Sequence, residues 1–443
     1  MPRLACLLLI LLTSLGSAAP LRILAIGDSL TEEYAFEIPF SAPASDPGNA
    51  NARNWPELFR IFRPTEASLG PYEGTAGSYL DYRNGGHEWN FGVPSFTTVD
   101  WQRVINKTSY NPLEDDAMDL LDYETREEVI YQLFYGSIQV AVIFLGGNDL
   151  KNDYNDIFND TESANFFPGI LQRLQNIHGF VRNTRAQLPI VVCTIPDVGA
   201  TPNVNGTYND PVKAASTRAK IAAFNQSIDD TFSPLYRTEV ARIDELTALV
   251  FDLMPFHLNG TVFTIEGDPE NPPDRVFCRD DFHPNTVAQA LIANEIIGAI
   301  NTFSPITSQT VTPFHDREIL QNLLGLDPDQ PYLDWAAGYP LTGTGPDDDD
   351  DRDGLPNLVE MTLGTRPDQF SSPLTGDWKT GLSWTPDPVG IRYASLFAEE
   401  SSNLTGWTPV PEARLSESGG TITAYPAPGL PASFVRLNAA PRP

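Results

Sequence analysis

Four short segments of the sequence carry side chains that could act together in serine-based acyl chemistry. In chain order they are Gly27-Asp28-Ser29, Asn90-Phe91-Gly92, Gly146-Gly147-Asn148-Asp149 and Asp280-Asp281-Phe282-His283. Such chemistry requires a nucleophile, a base, a group that orients the base and donors for the oxyanion. Ser29 is the candidate nucleophile, and His283 is the candidate base because it follows two acids. The remaining histidines lack a comparable acidic context; they are His87, His178, His257 and His315.

The acid that orients the histidine is expected on the same turn. Asp280 lies three residues before His283, a spacing at which a carboxylate can hold the imidazole through its Nδ1. Each piece also has a purely structural interpretation, since Gly-Asp-Ser can be a turn that caps the next helix, and a lone histidine is usually structural. The order of all four segments favours a catalytic site.

Three of the segments follow predicted strands, which would bring them together at one edge of a sheet. The apolar run 21–26 predicts a buried parallel strand that ends at Gly27, and 139–145 predicts another that ends at Gly146. Further strands are predicted at 88–93, 189–194 and 239–243, and helices at 114–135, 167–187, 212–232 and 286–300. This alternation predicts parallel βαβ units, whose ligands bind beyond the carboxyl ends of the strands.

The four segments resemble the sequence blocks of the GDSL, or SGNH, hydrolase family, which is named for a Gly-Asp-Ser-Leu run and for its Ser, Gly, Asn and His. The resemblance covers about residues 21–301 and includes Thr194-Ile195-Pro196-Asp197-Val198-Gly199, which is similar to a strand end of the lipase-like branch. It implies an α/β fold, a three-layer α/β/α sandwich with a parallel sheet.

The resemblance also implies a role for each site residue. Ser29 would be the nucleophile, His283 the general base and Asp280 the acid that orients it. The backbone N–H groups of Ser29 and Gly92, with the side-chain amide of Asn148, would form the oxyanion hole.

The sequence departs from the family pattern at two points. Gly92 is followed by Val93-Pro94-Ser95, where relatives often have another small residue or glycine. Asp281 stands beside Asp280 and is the alternative partner of His283, although the three-residue spacing favours Asp280.

The activity implied by the resemblance is hydrolysis of carboxylic esters through an acyl-enzyme, with no metal or organic cofactor in catalysis. Acetylated carbohydrate, lipid and small esters all stay open as substrates. The loops 31–53, 70–86 and 252–277 determine the shape of the pocket, and the sequence does not give their structure. Two alternatives also stay open. One is an acyltransferase that uses the same site with an alcohol acceptor, and the other is an extracellular calcium-dependent binding protein whose hydrolase site is idle.

The composition predicts a folded protein, and the N-terminal sequence predicts that it is exported. Of its 443 residues 41% are hydrophobic, which is enough for real cores, and the net charge of −30 argues against nucleic acid as a partner. Residues 1–18 have the pattern of a secretory signal, with Arg3, the apolar run 4–12 and the small residues Gly16-Ser17-Ala18. No segment predicts a membrane span. We expect a secreted or periplasmic protein, and we expect it to be monomeric.

Removal of this signal leaves two cysteines, Cys193 and Cys278. In an oxidising compartment they are a candidate disulfide, and the alternative is two buried free thiols. The sequence does not decide between them, since a bridge requires the two residues within reach of each other.

A second signal is the acidic segment 349–360, which fits the twelve-position calcium loop of EF-hands. Acids occupy positions 1, 3 and 5, Gly354 position 6 and Glu360 position 12. The expected Ca²⁺ ligands are Asp349, Asp351, Asp353, the Leu355 carbonyl and Glu360. The segment resembles the calcium repeats of bacterial secreted proteins related to thrombospondin type 3 or dockerin, which implies a structural clip. The alternative is a solvated acidic linker.

These features divide the chain into four predicted regions: a signal peptide at 1–18, a catalytic domain at 19–326, a linker with the calcium loop at 327–370 and a small β-rich module at 371–443. Within the catalytic domain, 302–313 is predicted to be a linker because it is rich in Ser, Thr and Pro. The following apolar segment, 319–326, is predicted to be a short helix that packs on that domain.

Overall fold

The computed structural model describes residues 19–36, 52–75, 77–83, 85–252, 255–428 and 434–443. The predicted signal segment 1–18 lies outside the described residues, as does most of the predicted loop 31–53. Within the described ranges, no helix is both long enough and apolar enough to cross a membrane.

A parallel sheet forms the centre of the first part of the chain. The strands of this part are β1 (Leu21–Gly27), β2 (Ala67–Ser68), β3 (Tyr72–Glu73), β4 (Gly86–His87), β5 (Asn90–Gly92), β6 (Val140–Phe144), β7 (Ile190–Cys193), β8 (Thr238–Ala241), β9 (His257–Leu258) and β10 (Thr261–Val262). Six of them form one sheet in the order β2-β1-β6-β7-β8, with β5 also paired to β1, and every pairing in it is parallel. Strands β3 with β4 and β9 with β10 form two small antiparallel pairs.

The register of this sheet aligns the carboxyl ends of the strands that precede the predicted site residues. Gly27, at the end of β1, pairs with Gly92 at the end of β5 and with Phe144 at the end of β6. The segments that follow these three strands therefore emerge side by side at the carboxyl edge of the sheet.

Helices cover both faces of the sheet. They are α1 (Trp55–Phe62), α2 (Thr98–Asn106), α3 (Ala117–Tyr135), α4 (Gly147–Asn152), α5 (Tyr154–Phe158), α6 (Phe166–Thr184), α7 (Pro202–Asn205), α8 (Pro211–Phe232), α9 (Ile243–Asp252), α10 (Thr286–Asn301), α11 (Ser304–Thr307) and α12 (Asp316–Glu318), which continues as a π-helical turn, Ile319–Leu323. Leu21, Ile23 and Ala25 of β1 pack with α1, α9 and α10, whereas Leu24 and Ile26 pack with α2, α3, α6 and α8. The prediction of a three-layer α/β/α sandwich is confirmed.

Helix α9 is an element that the sequence analysis did not predict. The strand predicted at 239–243 ends at Ala241, and the helix begins at Ile243. Its first turn carries Asp244 and Glu245, whose charges stabilise the amino end of a helix. This helix packs on the same face of the sheet as α10.

The segment 302–313 is not a free linker as predicted, because it folds back onto α10. The amide of Asn301 donates to the carbonyl of Val311 at 2.8 Å, and Val311 itself is buried. The apolar segment that follows packs in the same core through Ile319 and Leu320, as predicted.

Among the described residues, the C-terminal region contains two small antiparallel sheets, as expected of the β-rich module predicted there. Its elements are α13 (Gln330–Ala337), α14 (Asn357–Leu363), β11 (Thr375–Asp377), β12 (Gly381–Trp384), α15 (Gly390–Tyr393), β13 (Ala394–Ser401), β14 (Thr408–Pro409), β15 (Leu415–Ser418), β16 (Thr421–Ala424) and β17 (Phe434–Pro441). The strand orders are β11-β12-β16-β15 and β14-β13-β17. Val359 and Leu363 pack α14 against Trp384 and Leu437 of these sheets.

One carboxylate links the two parts of the chain. Asp329 accepts hydrogen bonds from the guanidinium of Arg317, on α12, at 2.8 and 3.0 Å and from the hydroxyl of Tyr393 at 2.7 Å. Tyr393 packs in a small cluster with Tyr332 and Met361. The C-terminal sheets are thereby fastened to the end of the first domain.

The candidate disulfide between Cys193 and Cys278 does not form, since both cysteines are free and buried. Cys193 ends β7 and packs in the core beside α10, whereas Cys278 packs with Tyr34 and Ala52. The Sγ of Cys278 contacts the carbonyl oxygen of Pro284 at 3.6 Å instead. Burial raises the pKa of both thiols, so both stay protonated at neutral pH.

Candidate active site

Ser29 lies in the tight turn that follows β1. Asp28 shapes this turn: its Oδ1 accepts the N–H of Leu30 at 3.0 Å, and its carbonyl accepts the N–H of Thr31 at 3.0 Å. Gly27 is required before the turn, because a Cβ there would lie 2.2 Å from the Thr31 Oγ1. The turn presents Ser29 at the carboxyl edge of the sheet.

His283 lies between Ser29 and Asp280. Its Nε2 is 2.8 Å from the Ser29 Oγ, and its Nδ1 is 2.5 Å from the Asp280 Oδ2. The other carboxylate oxygen of Asp280 accepts the backbone N–H groups of Phe282 and His283 at 3.2 and 3.0 Å, which fixes the carboxylate within its turn. The structure therefore brings these three predicted residues into one continuous chain of polar contacts.

Asp281, the alternative acid, makes a different contact. Its Oδ1 accepts the N–H of Gly267 at 2.7 Å, and its own N–H donates to the carbonyl of Cys278 at 2.9 Å. Its φ of 58° lies in the left-handed region, where aspartate is tolerated better than most residues. Asp281 thus holds the loop in shape while Asp280 contacts the histidine.

Asn148 and Ser29 carry two of the predicted oxyanion donors, and both line the same cavity. Asn148 lies in the first turn of α4, directly beyond β6, and its Nδ2 donates to the carbonyl of Phe96 at 3.1 Å. An amide nitrogen carries two hydrogens, so one remains for a ligand. The Ser29 N–H has no hydrogen-bond partner among the described residues.

Gly92 has a different environment from the one its expected role requires. Its N–H donates to the side-chain oxygen of Asn90 at 3.2 Å, so this donor is already occupied. A Cβ on Gly92 would lie 2.2 Å from the backbone nitrogen of Glu32. The position requires glycine because β5 packs closely against the turn after β1.

Ser95 carries another backbone donor of this segment, and this donor is unoccupied among the described residues. Its φ of 64° is one that glycine adopts readily and other residues rarely do. Ser95 is exposed, its N–H has no partner within the part of the chain that the structure describes, and it precedes Phe96, whose carbonyl binds Asn148. The signal in the sequence was the departure at 93–95, where relatives often carry glycine.

The sequence profile of the GDSL-like lipase/acylhydrolase family matches residues 23–296, which is more than half of the chain. The chain belongs to this family. The protein is accordingly a carboxylic ester hydrolase. No curated protein matches its sequence.

Solved structures similar to this chain include carbohydrate esterases and a lipase. The family 3 carbohydrate esterase of Clostridium thermocellum is 14% identical, with a TM-score of 0.33, covering 65% of this chain and 99% of that chain. The corresponding enzyme of Talaromyces cellulolyticus is 13% identical, with a TM-score of 0.34 and coverage of 66% and 100%. The lipase Lip_vut3 from a goat rumen metagenome is 13% identical, with a TM-score of 0.35 and coverage of 63% and 97%.

Next to Asn148 in the chain, Asp149 belongs to a polar network that anchors the start of α4. Asp149 accepts the backbone N–H of Thr98 at 2.8 Å and its hydroxyl at 2.6 Å, and it pairs with Arg173 at 3.4 Å. Thr98 begins α2 and Arg173 lies on α6, so the helix that carries Asn148 is tied to both. The sequence places Asp149 directly after Asn148 but does not indicate this anchoring role.

Burial and hydrogen bonding set the charge of two carboxyl groups beside Ser29. Burial raises the pKa of Asp28 to about 7; the hydrogen bond from Leu30 opposes this rise, and the nearby charge of Asp149 adds to it. Burial also acts to raise the pKa of Asp280, but the hydrogen bond and charge of His283 outweigh it and lower that pKa below its usual value. Asp280 is therefore ionised at neutral pH, as a carboxylate that orients a histidine must be.

The carboxylates of the predicted calcium loop converge. Oxygens of Asp349, Asp351 and Asp353 lie within 4.8 Å of one another. Glu360, on α14, is 0% exposed, and its Oε2 has no hydrogen-bond partner; nor do the buried Asp349 Oδ1 and Asp351 Oδ2 among the described residues. The Leu355 side chain packs in the C-terminal core. Oxygens of this kind fit a hard cation such as Ca²⁺.

The turns of this loop use the remaining carboxylate oxygens. Asp349 Oδ2 accepts the N–H of Gly354 at 3.0 Å, and Asp351 Oδ1 accepts the N–H of Asp353 at 3.0 Å. Gly354 has a φ of 92°, which permits the sharp turn. Burial, followed by the charges of Asp353 and Asp351, raises the pKa of Glu360 to about 8. The loop therefore concentrates negative charge around a set of unpaired oxygens.

Proposed function

We propose that the protein is a secreted serine esterase that cleaves carboxylic esters through an acyl-enzyme on Ser29. The observation that carries the proposal is the chain of polar contacts from Ser29 through His283 to Asp280, with distances of 2.8 and 2.5 Å. Secretion is proposed from the signal-like pattern of residues 1–18.

In the acylation half of the reaction, the Ser29 Oγ attacks the carbonyl carbon of the ester while its proton passes to the Nε2 of His283. The carboxylate of Asp280 stabilises the resulting imidazolium through Nδ1. When the tetrahedral intermediate collapses, Nε2 gives this proton to the leaving alcohol, and the acyl group stays on Oγ.

Deacylation uses the same groups with water in place of the alcohol. A water molecule passes one proton to the Nε2 of His283 as its oxygen attacks the acyl carbon. Collapse of the second intermediate returns that proton to the Ser29 Oγ and releases the carboxylic acid. The enzyme is then back in its starting protonation state.

We propose three donors for the oxyanion: the N–H of Ser29, the second hydrogen of the Asn148 amide and the N–H of Ser95. Ser95 replaces Gly92 in this proposal because the Gly92 N–H already donates to Asn90. Loss of one donor of this kind typically costs about 10²–10³ in kcat.

Hydrolysis of p-nitrophenyl butanoate tests the proposal. We expect Ser29→Ala and His283→Ala each to lower kcat by about 10⁴-fold or more, because members of such a group act as a unit. The matched controls are Ser216→Ala and His315→Ala, two exposed positions, which should keep the wild-type rate. Substantial activity in Ser29→Ala would contradict the mechanism. An added alcohol that is converted to a new ester in preference to hydrolysis would identify an acyltransferase instead.

We further propose that Asp349, Asp351, Asp353, the Leu355 carbonyl and Glu360 bind a structural Ca²⁺. Support comes from the buried, unpartnered oxygens of Asp349, Asp351 and Glu360. A bound cation would offset the repulsion among these acids and hold the loop against α14. The ion has no part in the ester chemistry, which the side chains around Ser29 can carry alone.

A further inference from the structure

We propose that the acyl group this esterase prefers is a medium-length apolar chain of about eight carbons, bound along α9 and α10. The inference rests on the proposed function, because the cavity that would hold the chain opens at Ser29. It selects one substrate class among the esters that the sequence left open.

The cavity begins at Ser29 and Asn148 and continues between the two helices. Its empty space, counted with the open mouth, is about 810 Å³. An acyl carbon attached to the Ser29 Oγ would therefore have its chain directed along these helices or out into solvent. The apolar walls of the cavity favour the direction along the helices.

Aliphatic and aromatic side chains form the walls. Helix α9 contributes Ile243, Leu246 and Val250, and α10 contributes Leu291 and Ile292. Phe256, Val276 and Phe277, three buried residues from the segment between these helices, complete the lining. Each CH₂ group that leaves water for such a surface gains a favourable transfer free energy, which corresponds to about a fourfold gain in binding.

The two hydroxyl groups of the wall away from Ser29 already have hydrogen-bond partners within the protein. The hydroxyl of Thr247, on α9, donates to the carbonyl of Asp244 at 2.7 Å, and the hydroxyl of Thr201 donates to that of Val198 at 2.8 Å. A sugar ring in this cavity would lose its hydrogen bonds to water and find no replacement on the aliphatic walls. An acetyl group would leave most of the apolar surface uncovered.

The helical geometry gives the length of the site. Ile243, Leu246 and Val250 recur at intervals of three and four residues, so they form a stripe along one face of α9. The stripe is about 10 Å long at a rise of 1.5 Å per residue. An extended chain of about eight carbons has a similar length, and a much longer chain would project beyond the helix.

A series of p-nitrophenyl esters, all assayed in the same buffer with a neutral detergent, tests the proposal with the full-length protein. We expect kcat/KM to rise from acetate through butanoate to octanoate, by about 10²-fold or more in all, and to fall for hexadecanoate. A maximum at acetate, with activity still dependent on Ser29, would overturn the proposal while leaving the proposed function intact.

Two neighbouring positions of α9 provide a matched pair of variants. Val250 lines the cavity, whereas Leu249 does not and is 40% exposed. We expect Val250→Trp to lower the ratio of octanoate to acetate kcat/KM at least tenfold, because the indole fills the chain site. Leu249→Trp should leave the ratio unchanged. An unchanged ratio in Val250→Trp, with the protein folded by circular dichroism, would contradict the assignment.

A binding measurement keeps the proposal falsifiable if Val250→Trp does not fold. Calorimetry with Ser29→Ala should detect octanoate binding at least tenfold tighter than butanoate binding. Equal affinity for the two acids would overturn the chain site. By contrast, full ester hydrolysis by Ser29→Ala, or none by the wild type, would reject the proposed function and not the site itself.

Discussion

The side-chain amide of Asn148 donates to the carbonyl of Phe96 at 3.1 Å, and this bond fixes the plane of the amide beside Ser29. The carbonyl belongs to the residue after Ser95, so this hydrogen bond ties Asn148 to the segment that carries the proposed Ser95 donor. A preorganised donor stabilises the oxyanion because no reorientation is needed when charge develops.

We expect Asn148→Asp to lower kcat by about 10²–10³-fold with little change in KM, because a carboxylate of the same shape cannot donate to an oxyanion. The matched control is Asn176→Asp, on the exposed side of α6, which should keep the wild-type rate. Steady-state kinetics with p-nitrophenyl butanoate measure both. A wild-type kcat in Asn148→Asp would remove this donor from the mechanism.

The role of Ser95 is assigned to its backbone, so its side chain should be dispensable. We expect Ser95→Ala to keep kcat within a few fold of the wild type. Ser95→Gly should raise the free energy of unfolding by about 1 kcal/mol, because it relieves the positive φ of 64°. Urea unfolding measures the second effect. A kcat lowered more than tenfold in Ser95→Ala would show that the hydroxyl contributes.

The two acids before the histidine should respond differently to the same change. We expect Asp280→Asn to lower kcat by about 10²–10⁴-fold, because the amide cannot stabilise the imidazolium as the carboxylate does. Asp281→Asn should keep most of the activity, since an amide oxygen can still accept from Gly267 and asparagine tolerates a positive φ. A larger loss in Asp281→Asn would exchange the roles of the two acids.

The raised pKa of Asp28 predicts how the free energy of unfolding depends on pH. Burial raises its pKa from 3.8 to about 7, so its contribution to stability is fully present below pH 3.8 and is lost as the pH rises through about 7. At 1.36 kcal/mol per pKa unit, the loss approaches about 4 kcal/mol above that range. The Asp28→Asn variant should therefore be more stable than the wild type at pH 8.

Urea unfolding of both proteins between pH 4 and pH 8 checks this prediction. The difference in the free energy of unfolding between Asp28→Asn and the wild type should grow with pH across the window. Asp230→Asn, at an exposed position of α8, is the control and should follow the wild type at every pH. A difference that does not change with pH would show that Asp28 ionises without penalty.

Removal of calcium should act on the C-terminal region alone. We expect a chelator to increase proteolysis between residues 341 and 363, because the acids of the loop then repel one another, while turnover of a soluble ester stays nearly constant. Equal cleavage with and without chelator would reject the calcium site. Loss of activity on chelation would show that the two parts of the chain are coupled.

A variant distinguishes the loss of bound Ca²⁺ from other effects of the chelator. Glu360→Gln should be cleaved as quickly with calcium as without it, because the amide gives up the charge that completes the site. Glu412→Gln, at an exposed position, is the matched control and should keep the protection. Calorimetric titration with CaCl₂ should show binding to the control and at least tenfold weaker binding to Glu360→Gln.

Strand ends were the part of this protein that the sequence predicted best. The runs before Gly27 and Gly146 are apolar and short, and parallel strands of an α/β sheet place their carboxyl ends together. The three-residue spacing favours Asp280 over Asp281 as the partner of His283. In the structure Asp280 contacts the histidine, and Asp281 accepts the N–H of Gly267.

The sequence was less informative where the answer depends on a tertiary contact. Whether the N–H of Gly92 is available depends on the side chain of Asn90, and the glycine itself is required by the nearby backbone of Glu32. Helix α9 was missed because its ten residues follow a short strand directly, without a clear boundary between the two periodicities. The apolar cavity depends on that helix.

The buried thiols of Cys193 and Cys278, 1% and 0% exposed, can report on local opening of the structure. A thiol reagent can reach such a sulfur only when the surrounding structure separates, so the rate of labelling measures that separation. Cys193 sits in the core of the sheet, whereas Cys278 belongs to the loop that carries Asp280 and His283. Labelling at Cys278 without labelling at Cys193 would isolate movements of the catalytic loop from unfolding of the domain, with no probe added to the protein.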